Sequence, residues 1–434
     1  MRVKIIPILI STMIILIACA LPIPEFSPTP EPPQIQNTAT ITIQSPIASE
    51  TATETSVAAP IDPSLTSEPT LTATLSPTQT LPIPQSGTVF GVFVKENINM
   101  LHLYDINGNV ITAFQTPGLE IYPNSILHIA GPIPQGPITV PIAYFTIENG
   151  GEIRVNINDQ ISTLTNSPYL HTLIGVPGQP IFAYTLVEPS GYDLITKLYF
   201  GTLNNIAGTA PIYTHTDVEG YALHPMAIKM VNGQPEGIWF TRQAWGIGGD
   251  VVYAPQKSLQ YLNLNTLQIT QQYTNDRNPS NISVDQILAA SVLNGNDLSM
   301  TANVLMTASV SFNFPLAVDS DRGAGFAAFS PDNHYIAWME AGGYRMALVP
   351  DFRTRLRVAE VENALVLDIP GNNFLNLIGG NEMYQVEPVG WMDNQTLLVQ
   401  LISDSNQYAL ATVSVPGGNI TYFSPGEFAA FAYR

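Results

Sequence analysis

An all-β fold is predicted for residues 87–434 on three observations. From Gly87 onward, Val, Ile, Leu, Tyr and Phe recur in runs of about five to eight, broken by Gly, Pro, Asn and Asp. That is the texture of many short antiparallel strands. Segments with a 3.6-residue period are nearly absent. A strand–polar turn–strand unit also repeats, with turns near residues 106, 157, 203, 264, 361 and 415. Four of the five gaps are close to, or somewhat longer than, one four-stranded propeller blade of about 40–50 residues. The remaining gap, 264 to 361, is about twice as long and hides one further unit near residue 310, in NVLMTASVSFNF. The expectation is therefore a β-propeller of about seven four-stranded blades, with six or eight left open. Stacked β-sandwiches or a β-solenoid would share the spacing, but no mid-chain linker marks a break between sandwich pairs.

The chain starts with a different texture. Arg2 and Lys4 precede an apolar run over residues 5–18. The run is shorter than the about 20 residues that span a bilayer, and residues 1–18 read as a secretory signal. It ends in Leu16-Ile17-Ala18-Cys19. This resembles the lipobox of bacterial lipoproteins. The resemblance implies that the Cys19 thiol is acylated with diacylglycerol and that cleavage leaves Cys19 as the new N-terminus. An uncleaved N-terminal anchor gives the same location, a bacterial membrane on its extracytoplasmic side. Cys19 is the only cysteine, so the exported domain has no disulfide framework and relies on its core.

Residues 19–86 are expected to be a disordered tether. Pro, Thr and Ser make up about half of residues 20–86, and no Lys or Arg occurs between Lys4 and Lys95. Such a segment buries too little apolar surface to offset chain entropy. Proline stiffens it toward polyproline II at about 3.1 Å per residue, for a limiting reach of roughly 200 Å.

Within the propeller region, the sharpest turn is Phe326-Ala327-Ala328-Phe329-Ser330-Pro331-Asp332-Asn333-His334-Tyr335. Pro331 pre-sets φ, Asp332 can bond its own backbone, and Asn333 tolerates left-handed φ. The stretch resembles the inner hairpin of a TolB-type, WD-repeat-like blade, in which aromatic-Ser-Pro-Asp-Gly precedes an apolar strand. Trp391-Met392-Asp393-Asn394-Gln395-Thr396 is a second copy without the proline. The other blades match only in spacing and texture. Val284–Leu293, with Ser283 as N-cap, is the best helix candidate, and a strand with an irregular lead-in fits it equally.

The two ends of the domain complement one another. Glu427-Phe428-Ala429-Ala430-Phe431 nearly repeats Gly325–Phe329 but has no hairpin after it, and residues 89–95 and 101–107 have no inner strand before them. Residues 427–433 are therefore expected to pair alongside residues 89–95 and close the ring, since an open edge strand invites aggregation.

Chemistry is sparse in the sequence. A formal charge of −19 with 11% charged residues argues against nucleic acid and against electrostatic docking on anionic lipid. The six histidines show no zinc-ligand spacing and read as surface or turn residues. No Gly-x-Ser-x-Gly elbow occurs, and Gly246-Ile247-Gly248-Gly249 reads as a loop and not a phosphate cradle. No cofactor is expected. Asp319 and Asp321 in Asp-Ser-Asp-Arg-Gly are the weak metal candidates, for calcium, in a motif short of ligands.

The candidate ligand-binding residues are Trp245, Arg242, Tyr344 and Arg322. Trp245 lies among glycines between a second and a third strand, on the face that carries the blade-to-blade connections. There it could stack on a sugar ring or a peptide side chain, or else fold back onto the core. The reading that follows is a monomeric, lipid-anchored extracytoplasmic propeller binding a protein, peptide or glycan at the cell envelope. A propeller glycan hydrolase and a structural envelope component are the alternatives.

Overall fold

The computed structural model describes residues 88–433, apart from residues 120–125, 129–141, 147–150, 203–209, 246–255, 302–310, 315–321 and 343–353 and shorter breaks of one to three residues. The chain divides into two compact units, Met1–Thr78 and Gln79–Arg434, and every described residue belongs to the second. The signal, Cys19 and the tether over residues 19–86 lie outside the described residues, as do Asp319, Asp321 and Tyr344.

The described strands form seven four-stranded antiparallel sheets. Six sheets take four consecutive strands. Blade 1 takes its second, third and outer strands from Val89–Asn97, Met100–Asp105 and Val110–Gln115, and its inner strand from Glu427–Tyr433 at the other end of the domain. The inner strands of blades 2 to 7 are Ile126–His128, Leu170–Gly175, Tyr221–Val231, Arg277–Ile282, Arg322–Phe329 and Met383–Trp391. Each of the six repeat turns, near residues 106, 157, 203, 264, 361 and 415, joins a third to an outer strand, while the turns at residues 330–334 and 393–395 join an inner to a second strand. The unit hidden near residue 310 is blade 5, whose outer strand is Ser311–Phe314.

Packing turns the seven sheets into a ring. Each apolar cluster joins two successive blades. Phe93, Leu101 and Leu103 of blade 1 meet Ile142 and Tyr144 of blade 2. Ile153 and Val155 of blade 2 meet Leu173, Phe182 and Tyr184 of blade 3. Ile174 and Leu198 of blade 3 meet Leu223, Ile238 and Phe240 of blade 4. Trp239 and Leu259 of blade 4 meet Ile282 and Ala289 of blade 5. Ala290 of blade 5 meets Phe329, Ile336 and Trp338 of blade 6. Ala337, Leu356 and Val358 of blade 6 meet Val386, Trp391 and Leu397 of blade 7. Leu398 and Leu410 of blade 7 then meet Val92, Val94 and Tyr104 of blade 1, which completes the circuit. A blade in such a ring buries both faces. This is why Val89-Phe90-Gly91-Val92-Phe93-Val94 is a continuous apolar run: Phe93 faces blade 2 while Val92 and Val94 face blade 7.

Polar ties cross the same interfaces. The Trp239 indole donates to Gln286 Oε1 at 3.0 Å, and the Trp391 indole to the Ala328 carbonyl at 3.1 Å. The Phe428 N–H donates to Gln400 Oε1 at 2.6 Å. At Gly390, φ is 149°, and a β-carbon there would clash with the Phe431 ring, so the closing strand needs glycine at this point.

The helix candidate is corrected. Residues 289–293 are the second strand of blade 5, with Ala289 and Ala290 buried against its neighbours, so packing decides a stretch whose local pattern fits both. The described helical segment is a short one, Gly371–Phe374 followed by Leu375–Ile378, between blades 6 and 7. No helix of the described residues is long and apolar enough to cross a membrane.

Candidate functional site

In each meander, the inner strand begins on the face where the previous blade ends. The connections between second and third strands open on that same face. Blade 4 shows how it is built. Asp217 closes the outer strand of blade 3, and Tyr221 opens the inner strand of blade 4. Asp217 Oδ1 accepts from the Glu219 N–H at 2.8 Å and the Tyr221 N–H at 3.1 Å, while Arg242 Nη1 donates to Oδ2 at 3.0 Å. Burial alone would raise the Asp217 pKa. The two backbone bonds, then the charges of Arg242 and His215, outweigh it and hold the carboxyl below its ordinary value.

Arg242 therefore belongs to this turn. The second strand of blade 4 runs from Gln234 to Ala244, with Arg242 opposite Leu223 on one side and Lys257 on the other. Trp245 follows directly. Its N–H donates to the Gly220 carbonyl at 3.0 Å, which pins the backbone, and its side chain stays 38% exposed. Beside it, Lys257 Nζ is 2.9 Å from Glu219 and 4.1 Å from the centre of the Tyr221 ring. The hydrogen bond to Glu219 raises the Lys257 pKa. Arg242 and Lys257, on the neighbouring second and third strands, are thus both engaged in ion pairs.

Other large apolar side chains are exposed on this face. Tyr169 precedes the inner strand of blade 3 and Val218 sits in the Asp217 turn. In blade 7, Tyr384 lies near the start of the inner strand and Tyr408 starts the third. Arg322 opens the inner strand of blade 6. Whether Trp245 approaches Tyr344 or residues 319–321 lies outside the described residues.

The axis is lined by the inner strands, and three groups there escaped the sequence reading. His171 and His224 were read as surface or turn residues. They lie instead on the inner strands of blades 3 and 4, with ring centres 6.2 Å apart. His171 sits where the register slips between Leu170 and Thr172, a bulge that re-aims its side chain. Burial lowers the pKa of His171 to about 4. Burial, with His171 adding to it, lowers His224 to about 3. The third group is Glu387 of blade 7, which burial raises to about 7 against the opposing hydrogen bond that Gln385 Nε2 donates at 2.5 Å. Glu387 and Glu427 are the carboxylates among the described inner-strand residues, and Glu427 is paired with Lys95 at 3.3 Å. No group of three or more His, Cys, Asp or Glu among the described residues is placed to hold a metal ion.

The closed ring of antiparallel meanders is a β-propeller. No family model matches the chain, and no curated protein matches its sequence. Among solved structures it is similar to an oligogalacturonate lyase in complex with manganese, at 10% identity over 78% of this chain and 85% of that one, with a TM-score of 0.43. It is also similar to the Cps50 (Swd1) β-propeller domain of Myceliophteria thermophila, at 12% identity over 79% and 97%, TM-score 0.41. A third is TolB from Acinetobacter baumannii, at 13% identity over 78% and 80%, TM-score 0.34. Such distant likenesses concern the fold alone.

Proposed function

We propose that the chain is a lipid-anchored, extracytoplasmic β-propeller that binds a protein, peptide or glycan at the cell envelope through the face carrying Trp245. One observation carries the reading: a tryptophan that stays 38% exposed on a pinned backbone, at the end of a strand whose Arg242 and neighbouring Lys257 are already paired. Such a surface suits an uncharged partner, a sugar ring or an apolar side chain, that stacks on the aromatic plane. The anchor rests on Leu16-Ile17-Ala18-Cys19. A lipid of several chains at Cys19 would hold firmly where one chain binds only marginally.

Glu387 favours a second reading, a propeller glycan hydrolase, because a carboxyl near neutral pKa is suited to general acid work. Among the described residues no second free carboxylate lies beside Glu387 on the inner strands, since Glu427 is paired with Lys95, so the binding reading is preferred.

Two measurements test the proposal. Binding of the full chain to glycan and peptide arrays should identify ligands that Trp245→Ala weakens about 10-fold or more, the loss of roughly 1–2 kcal/mol of stacking. Equal array profiles for both proteins remove Trp245 from recognition. Mass spectrometry of the mature N-terminus should find diacylglycerol on Cys19 and none on the Cys19→Ser variant, and an unmodified or differently cleaved N-terminus ends the lipoprotein reading.

A further inference from the structure

We propose that His171 and His224 form a binding site for a transition-metal dication, Zn²⁺ being the probe of choice, at the axis between blades 3 and 4. The first support is geometric. An ion about 2.0–2.1 Å from one nitrogen of each imidazole places the two ring centres roughly 5–6 Å apart. The rings stand 6.2 Å apart at an interplanar angle of 64°, close to that separation.

The second support is chemical. His171 Nε2 and His224 Nδ1 are buried and have no hydrogen-bond partner among the described residues. A buried polar atom without a partner is costly, and a pair of them in adjacent rings is better explained by a shared guest than by two independent defects. Uncharged imidazoles each offer one lone pair, and imidazole suits zinc, copper and nickel among the common metals.

The third support is positional. The two side chains come from rigid inner strands of different sheets. The bulge at His171 aims one of them. A hydrogen bond from the Leu223 N–H to Thr196 Oγ1 at 3.4 Å ties blade 4 to blade 3 right beside the other. The site is thus held by the ring and not by a loop. Two protein ligands leave at least two positions of a tetrahedral ion for water or for a donor atom of a bound molecule. That is the open form of a metal site rather than the closed, structural one. The inference does not depend on Trp245 or on the ligand of the outer face.

Equilibrium dialysis of the full chain against Zn²⁺ alone, with Co²⁺ absorption as a second readout, tests it. The expected result is one ion per chain and a visible Co²⁺ spectrum. Zinc should also raise the melting temperature in a concentration-dependent way. His171→Ala and His224→Ala should each abolish all three. His102→Ala and His334→Ala, elsewhere on the ring, should leave them intact. Among the described residues His171 Nε2 and His224 Nδ1 have no hydrogen bond to lose, and circular dichroism of the zinc-free variants checks the fold. The proposal is overturned if no ion is retained, or if the bound zinc survives both axial substitutions.

Discussion

Glu387 has one hydrogen-bond partner among the described residues, the Gln385 amide, and its ordinary charge is unwelcome where it sits. Its folded pKa of about 7 lies above that of an exposed carboxyl. The sign follows from linkage: the protonated form is the one the fold tolerates. The associated stability is present in full below the unfolded carboxyl value and is lost as pH rises through about 7. By pH 8 the loss is at most about 3 kcal/mol, less where water in the channel screens the charge. Glu387→Gln keeps the shape and removes the titration. Its melting temperature should therefore fall less than that of the unchanged protein between pH 5 and pH 8, and parallel profiles would refute the assignment. Little of this was legible in the sequence. For Trp245 the sequence leaves exposure and a fold-back onto the core both open, and the structure leaves the residue 38% exposed. The contact of His171 with His224 was not legible, since it joins two strands from different blades and depends on a one-residue bulge. Glu387 was not either, because a carboxylate on an inner strand carries no local mark of the axis it faces.

At the scale of the element, the inner hairpin of blade 6 shows how side chains write a turn. Ser330 Oγ donates to Asp332 Oδ1 at 2.6 Å and accepts from the Tyr335 N–H at 2.9 Å. The His334 N–H donates to the same Asp332 oxygen at 3.0 Å, and Asn333 takes φ of 58°. Blade 7 uses Asp393 in the same way, accepting from the Gln395 and Thr396 N–H groups, each at 2.7 Å. Replacing Asp332 by Ala removes two hydrogen bonds and should cost about 1–2 kcal/mol, while Asp332→Asn, which keeps one acceptor, should cost less. Urea unfolding checks this, with the midpoint expected to move at an unchanged slope. A midpoint that stays put would mean the turn forms without its side chains. These turns were readable because their chemistry is local. The stretch over residues 284–293 was not, because ten mostly apolar residues suit a helix and a strand alike until Ala289 and Ala290 are seen packed between blades. Gly371–Ile378 went unread because eight residues give too short a period to detect.

For the whole molecule, the ring depends on one seam. Glu427–Tyr433 pairs antiparallel with Val89–Asn97, from Lys95 opposite Glu427 to Val89 opposite Tyr433. The seam is sealed on both faces. Ala429 and Ala432 enter the cluster shared with blade 2, and Phe428 and Phe431 pack on the cluster shared with blade 7. Near-repetition of one inner-strand sequence at the chain's end was enough to foresee this pairing, since a ring leaves only one vacancy for a strand of that kind. Deleting residues 426–434 should uncover Val92, Phe93 and Val94 together, all fully buried in the intact ring. Burial of each such side chain is worth about 1.5–3 kcal/mol, and native domains hold only about 5–15 kcal/mol in reserve. The loss should therefore spread beyond blade 1. Hydrogen exchange of the truncated chain should show protection falling in blades 2 and 7 as well as in blade 1, with a single melting transition at much lower temperature or none. Exchange that rises only over residues 89–115, with the other blades protected as before, would show that each blade stands on its own and that closure contributes little to the fold.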